Sequence, residues 1–430
     1  MLLPPLSSNS QNLLIGNFYI SELYSKFGPG PIYVYDANQI IKNYENLKRA
    51  FSNEKFKTRI YFAIKANSNP HIIKLLAKRG AGADCSNLNE IKIAQLSGIQ
   101  KEKILYSGNN NPKAELEYAI KNSISTNFDS LSLFEMVANK KEIKNIVVSF
   151  RYNPKNGLGG HKKIITGGKA SKFGINEKEI FNAYKLAKKK GIKKFGLHMM
   201  SGSNTLKIEP FLKQIKEQLR VAGKISSKLG IEFEFIDIGG GFGVPYRPDE
   251  KELDMENLGK KISKEFLNGC LENKIKAPNS EFPDLILEPG RILVANSGVI
   301  ISEITNIKSS NSKKIVGLYG SMAILMRPSL YDAYHHIYID GKLNGRQLKM
   351  DVVGQACESS DYFAKDRLLP ANLKIGDKVV ICTTGAYGFS MSNNYCNMSQ
   401  PPEILVDGKK IKLIRKRQTL QEMLRGVDLK

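Results

Sequence analysis

Short runs rich in β-branched and aromatic residues recur through the first two thirds of the chain, at positions 59–65, 81–85, 103–107, 124–128, 145–151, 194–200, 232–239 and 284–288. Most are separated by stretches with apolar residues at helical spacing, long enough for a crossover between parallel strands. Eight alternating strand–helix units predict an α/β fold, a (β/α)8 barrel. From about residue 292 the pattern changes to short strand-like runs broken by turns, as at 314–319, 348–353 and 377–382. Those predict a second, β-rich domain of sandwich or barrel type.

With 430 residues the chain exceeds one ordinary compact core, in keeping with two domains. No apolar run is long enough to cross a bilayer. The opening Met1-Leu2-Leu3-Pro4-Pro5-Leu6-Ser7-Ser8 lacks the basic region and apolar stretch of a secretory signal. The five cysteines are widely spaced with no CxxC pair, so neither a metal site nor a disulfide framework is expected, and the thiols suit a reducing cytoplasm. The formal charge of +24 raises the question of a nucleic-acid partner. The lysines, however, are scattered over helix-like segments such as 184–190, and no nucleic-acid module accompanies them. The expected role is a solvated surface that attracts anionic small molecules, with no nucleic acid and no membrane as partner.

Barrel enzymes carry their chemistry on the C-terminal rim. Here the rim positions are Lys65, Asp84, Ser107, Asn127, Arg151, His198, the turn at 239–241 and Glu288. Most are polar and several ionise. Lys65 ends its run and leads into the turn-forming Ala66-Asn67-Ser68-Asn69-Pro70. A lone lysine there would simply end a strand. In partly apolar surroundings it can instead lose its proton and attack a carbonyl carbon, the chemistry of a Schiff base.

Five ordered motifs favour the second reading. They are Tyr61-Phe62-Ala63-Ile64-Lys65-Ala66-Asn67, Ile238-Gly239-Gly240-Gly241-Phe242-Gly243, Glu288-Pro289-Gly290-Arg291, Cys357-Glu358-Ser359-Ser360-Asp361 and Gly385-Ala386-Tyr387-Gly388. In order and rough spacing, from about residue 30 to about residue 425, the chain resembles the diaminopimelate decarboxylases. Those are pyridoxal-phosphate enzymes of the alanine-racemase fold type.

The resemblance implies decarboxylation of meso-2,6-diaminopimelate to L-lysine, with pyridoxal 5′-phosphate as cofactor. By it, Lys65 holds the cofactor aldehyde, and Gly239, Gly240 and Gly241 close on the phosphate with Ser203 and Tyr387 as hydroxyl donors. Asp84, Gly290 and Arg291 complete the cofactor-binding set. Glu288 pairs with the ring nitrogen, and Cys357 returns a proton to the substrate carbon. Arg327 and Tyr331, in Met326-Arg327-Pro328-Ser329-Leu330-Tyr331, bind the distal carboxylate, with Arg291 and Tyr387 as further contacts and Glu358 on the distal ammonium. The Cys357 segment reaches the site from the neighbouring subunit, which implies a homodimer with shared active sites. The barrel domain is expected over 37–291, with 1–36 returning to join 292–430. The Gly/Lys-rich stretch 153–171 is expected to be a mobile loop over the rim.

The chain departs from the family pattern in three places. Met200 stands where relatives carry a histidine stacked on the cofactor ring. Cys396-Asn397-Met398-Ser399-Gln400 replaces an arginine-bearing stretch, and Tyr319-Gly320-Ser321-Met322-Ala323-Ile324-Leu325 is an altered lead-in to the arginine–proline turn. The alternatives left open are decarboxylation of ornithine, lysine, arginine or a carboxylated polyamine such as carboxynorspermidine, and a non-catalytic regulatory relative.

Overall fold

All eight apolar runs of the first two thirds form parallel strands, and the strands close into a barrel. In chain order they are Thr58–Ala63, Gly82–Cys85, Ile104–Tyr106, Ser125–Phe128, Val148–Tyr152, Phe195–Met199, Phe233–Asp237 and Asp284–Leu287. The eighth pairs with the first, Leu285 to Leu287 lying beside Thr58 to Ile60. Apolar residues dominate because each strand is covered by a helix outside and by other strands inside. In the crossover helix Glu177–Lys189, Ile180, Ala183, Tyr184 and Ala187 are buried at spacings of three and four. Lys178, Lys185, Lys188 and Lys189 of that helix lie in solvent. Asn176 caps it by accepting the backbone N–H groups of Lys178 and Glu179.

The barrel interior is divided by depth. Toward the N-terminal ends of the strands, Tyr61, Leu105, Phe235 and Ile286 pack into one apolar cluster, and Arg59 pairs with Asp284 nearby. Toward the C-terminal ends the buried side chains are polar: Asp84, Asn127, Arg151, His198, Asp237 and Glu288. Fully burying a large apolar side chain contributes roughly 1.5–3 kcal/mol. The lower layer therefore holds the cylinder shut and frees the upper one for chemistry.

The structure, a computed structural model, describes residues 2–154, 171–200, 202–310 and 313–428. The chain divides into two units, one of Asn43–Val244 and Lys251–Ile292, the other of Met1–Lys42, Pro245–Glu250 and Leu293–Lys430. Residues 245–250 thus cluster with the second unit, although they lie inside the span expected for the barrel. Most of the loop expected over the rim, residues 155–170, lies outside the described residues.

The second unit is β-rich. Its sheet runs Tyr362–Pro370, Gln347–Val353, Lys313–Leu318, Gly298–Ser310, Ile32–Asp36, Glu403–Asp407, Lys410–Arg415, with Lys378–Ile381 and Ile337–Ile339 branching from Gly298–Ser310. Ile32–Asp36 lies between Gly298–Ser310 and Glu403–Asp407, which ties the N-terminal segment into this sheet. A small meander, Leu6–Asn9, Asn12–Ile15 and Phe18–Tyr19, precedes it. Leu13, Ile15, Ile20 and Leu23 pack with Val34, Val299, Ile301, Val380 and Ile404 into the core. Among the described residues no helix is long and apolar enough to cross a membrane.

Candidate active site

The first barrel strand stops two residues short of the run read from the sequence. Ile64–Ala66 is one turn of 3-10 helix, so Lys65 sits beyond the strand rather than within it. Asn67 and Asn69 explain the break. Asn67 Oδ1 accepts the N–H of Asn69, and Asn69 Oδ1 accepts that of His71 to start the helix Pro70–Ala77. This turn aims Lys65 Nζ at Asp84 Oδ2, 3.1 Å away, with the lysine side chain 50% exposed and the aspartate 1%. Burial pushes the Asp84 carboxyl up to about 7, helped by Glu288 and opposed by Lys65. Ala63 donates its N–H to the carbonyl of Pro289, which ties this turn to the end of the eighth strand.

Glu288 follows that strand and is buried. Its Oε2 lies 3.1 Å from His198 Nε2. Burial alone would raise its carboxyl, but His198, Lys65 and Arg151 together hold it below the ordinary value, so it stays ionised. Burial lowers His198 instead and leaves a neutral imidazole that donates to Glu288. Asp237 Oδ1 accepts the Gly239 N–H at 2.8 Å and starts the glycine turn. Gly239 and Gly241 take φ of +67° and +89°, which suits glycine. Gly240 is required by space: a Cβ there would stand 2.3 Å from the carbonyl oxygen of Glu288. The Gly240 N–H meets Met200 Sδ at 3.2 Å, so the thioether lies against this turn. Arg291 donates to Ser203 Oγ at 3.3 Å, and Gly290, between Pro289 and Arg291, is buried.

Of the other rim residues, Asn127 donates to Ser107 Oγ at 2.9 Å and accepts from Ser149 Oγ at 3.1 Å. Arg151 lies 3.9 Å from Asp129 and stacks on Phe173, its guanidinium 4.5 Å from the ring centroid.

The remaining expected residues belong to the β-rich unit. Cys357 is exposed and Glu358 half-buried on a turn built by Asp361, whose two carboxylate oxygens accept the N–H groups of Ala356 and Met322. Glu358 Oε2 accepts from Tyr395 at 3.2 Å. Arg327 and Tyr331 open and close the short helix Arg327–Tyr331, and Ser329 Oγ binds it to the turn by donating to the Ser360 carbonyl at 2.7 Å. Arg327 is buried, 2.8 Å from His335 Nε2, and its guanidinium lies over Tyr246. His335 Nδ1 is 2.8 Å from the Cys382 carbonyl, so it carries the proton and leaves Nε2 to accept from Arg327. Tyr387 is half-buried at φ +57° in its own turn.

Asp237 and His335 were missed by reading the sequence. Asp237 is the residue before Ile238 and the glycine turn, a position at a strand end that could have marked it. His335 carries no local signal, because its partners lie 8 and 47 residues away.

The model of the pyridoxal-dependent decarboxylases, pyridoxal binding domain, matches residues 37–295. The chain is 37% identical to a diaminopimelate decarboxylase of Methanothermobacter thermautotrophicus over all of its own length and 98% of the relative's. Among solved structures it is similar to the diaminopimelate decarboxylase of Methanocaldococcus jannaschii in complex with L-lysine, at 33% identity and a TM-score of 0.90, covering 100% and 99% of the two chains. It is also similar to the enzyme of Helicobacter pylori complexed with L-lysine, at 35% identity and a TM-score of 0.84, covering 94% and 98%. The family match spans the whole barrel with its lysine, glycine turn and buried glutamate, and the chain belongs to the pyridoxal-dependent decarboxylases.

Proposed function

We propose that this chain removes carbon dioxide from the D-centre of meso-2,6-diaminopimelate and yields L-lysine, a carboxy-lyase step of lysine biosynthesis. Pyridoxal 5′-phosphate is the cofactor. The observation that carries the reading is the presence, just past the ends of adjacent strands, of a half-exposed lysine held by Asp84 and a buried glutamate held ionised. The residues present fit the group. Lys65 offers the amine for its aldehyde, residues 239–241 offer a turn with no side chains to block close approach, and Ser203 and Arg291 offer donors. Glu288 Oε1 is buried and has no hydrogen-bond partner among the described residues. Bound there, the cofactor supplies a protonated ring that takes up the electron pair left by departing carbon dioxide.

Each residue of the chain then has a task. Glu288 keeps the ring nitrogen protonated by remaining a carboxylate, and Asp84 orients Lys65 through their ion pair. Cys357, presented by the Asp361 turn, gives its proton to the substrate carbon. Arg327, oriented by neutral His335, binds the distal carboxylate together with Tyr331, and Glu358 meets the distal ammonium. Ornithine and lysine carry no distal carboxylate, so the arginine selects against them. By the family pattern Cys357 and Glu358 serve the neighbouring subunit's site, and the active form is a homodimer. A reducing cytoplasm suits the five free cysteines.

Carbon dioxide release from meso-diaminopimelate, ornithine, lysine and arginine tests this directly. Turnover confined to meso-diaminopimelate is expected. Turnover confined to the other three would overturn the substrate assignment.

A further inference from the structure

Asp237, His198 and Glu288 end the seventh, sixth and eighth barrel regions side by side, and all three are buried, Asp237 at 0% exposure. One imidazole nitrogen or carboxylate oxygen of each lies within 4.8 Å of those of the other two. One oxygen of each carboxyl group is accounted for: Asp237 Oδ1 accepts from Gly239, and Glu288 Oε2 from His198. The second oxygens, Asp237 Oδ2 and Glu288 Oε1, are buried and receive no hydrogen bond from any of the described residues. Two ionised carboxylates in this position would repel each other and leave both oxygens buried and unsatisfied. A single proton between them removes both deficits.

We propose that Asp237 stands as a neutral acid whose Oδ2–H is donated to Glu288 Oε1, which makes it a positioning residue for the Glu288 carboxylate. One oxygen of Asp237 lies within 4.8 Å of one of Glu288, and burial and the Glu288 charge push Asp237 well above the ordinary carboxyl range. The groups around the pair sort the proton to Asp237. His198, Lys65 and Arg151 favour an ionised Glu288, whereas Asp84 adds to the pressure on Asp237. His198 Nδ1 has no partner among the described residues, and as the bare lone pair of a neutral imidazole it can stay unpaired at little cost. The cluster then holds one negative charge, on Glu288, between two neutral donors. Resting on the reading of Glu288 as the ring-nitrogen partner, this has a chemical consequence. A carboxylate that accepts from two donors is a weaker base, so a proton shared with the ring nitrogen stays on nitrogen.

The test is infrared difference spectroscopy of the cofactor-loaded protein at a pH well above the value of about 7 at which Asp84 titrates. Wild type minus Asp237→Asn is expected to show the carbonyl stretch of one un-ionised carboxyl. Asparagine keeps a donor toward Glu288, so its cofactor affinity should stay within about threefold of wild type, while Asp237→Leu should lose about tenfold or more. No acid band in the difference spectrum, or equal affinities for Asn and Leu, would overturn the proposal. The band reports the Asp237 proton whatever substrate turns over. Its absence would leave the decarboxylation standing, and a failed substrate panel with the band present would do the reverse.

Discussion

At the scale of single residues, burial decides which groups ionise, and the β-rich unit offers a clean case. His336 is lowered from 6.5 to about 4, first by burial and then by Arg367 and Arg247. Both guanidinium groups lie 3.8 Å from the centroid of Tyr334, whose hydroxyl is 2.8 Å from His336 Nδ1. A histidine depressed in the folded state binds fewer protons there than in the unfolded chain at any pH between the two values. Its contribution to stability is therefore complete above about 6.5 and is lost as the pH falls toward about 4, by roughly 3 kcal/mol at most. His198 shifts the same way and is retained in a His336→Gln variant, so its effect cancels between that variant and wild type. Denaturant unfolding of wild type and His336→Gln at neutral and mildly acid pH should show the variant losing less stability on acidification. Parallel losses would contradict the argument.

Among elements, the seventh strand and its glycine turn matter most, because the turn meets the end of the eighth strand through backbone. Glu288 donates its N–H to the Gly239 carbonyl, and the space over Gly240 is closed by the Glu288 carbonyl. Backbone cannot swing aside as a flexible side chain can. Gly240→Ala should push the turn and Glu288 apart, lowering stability by about 1–3 kcal/mol and cofactor affinity by about tenfold or more. Unchanged melting together with unchanged cofactor titration would contradict this. The same elements show what was legible beforehand. Strand runs such as 232–239 stand out because β-branched and aromatic residues cluster where both faces are covered, and the glycines mark the turn. Strand ends were less legible: Lys65 lies beyond its strand because Asn67 and Asn69 redirect the backbone, a local competition that apolar patterning does not register. Asp237 and His335 were illegible for another reason, since their roles come from partners brought close only by folding.

On the scale of the whole molecule, the order of motifs along the chain carried the fold class, because a closed barrel repeats one unit and each repeat leaves its own trace. Composition told less. The excess of lysine gathers on exposed helix faces such as that of Glu177–Lys189, and it bears on the attraction of an anionic cofactor and a dicarboxylate substrate rather than on the fold. The central claim is that one lysine amine of this lysine-rich chain, that of Lys65, holds the cofactor. Borohydride reduction of the cofactor-loaded protein, followed by proteolysis and mass mapping, measures it directly. The predicted result is a pyridoxyl label on the peptide carrying Lys65, and no label in Lys65→Ala. A label on another lysine, or none in the wild type, would contradict the account.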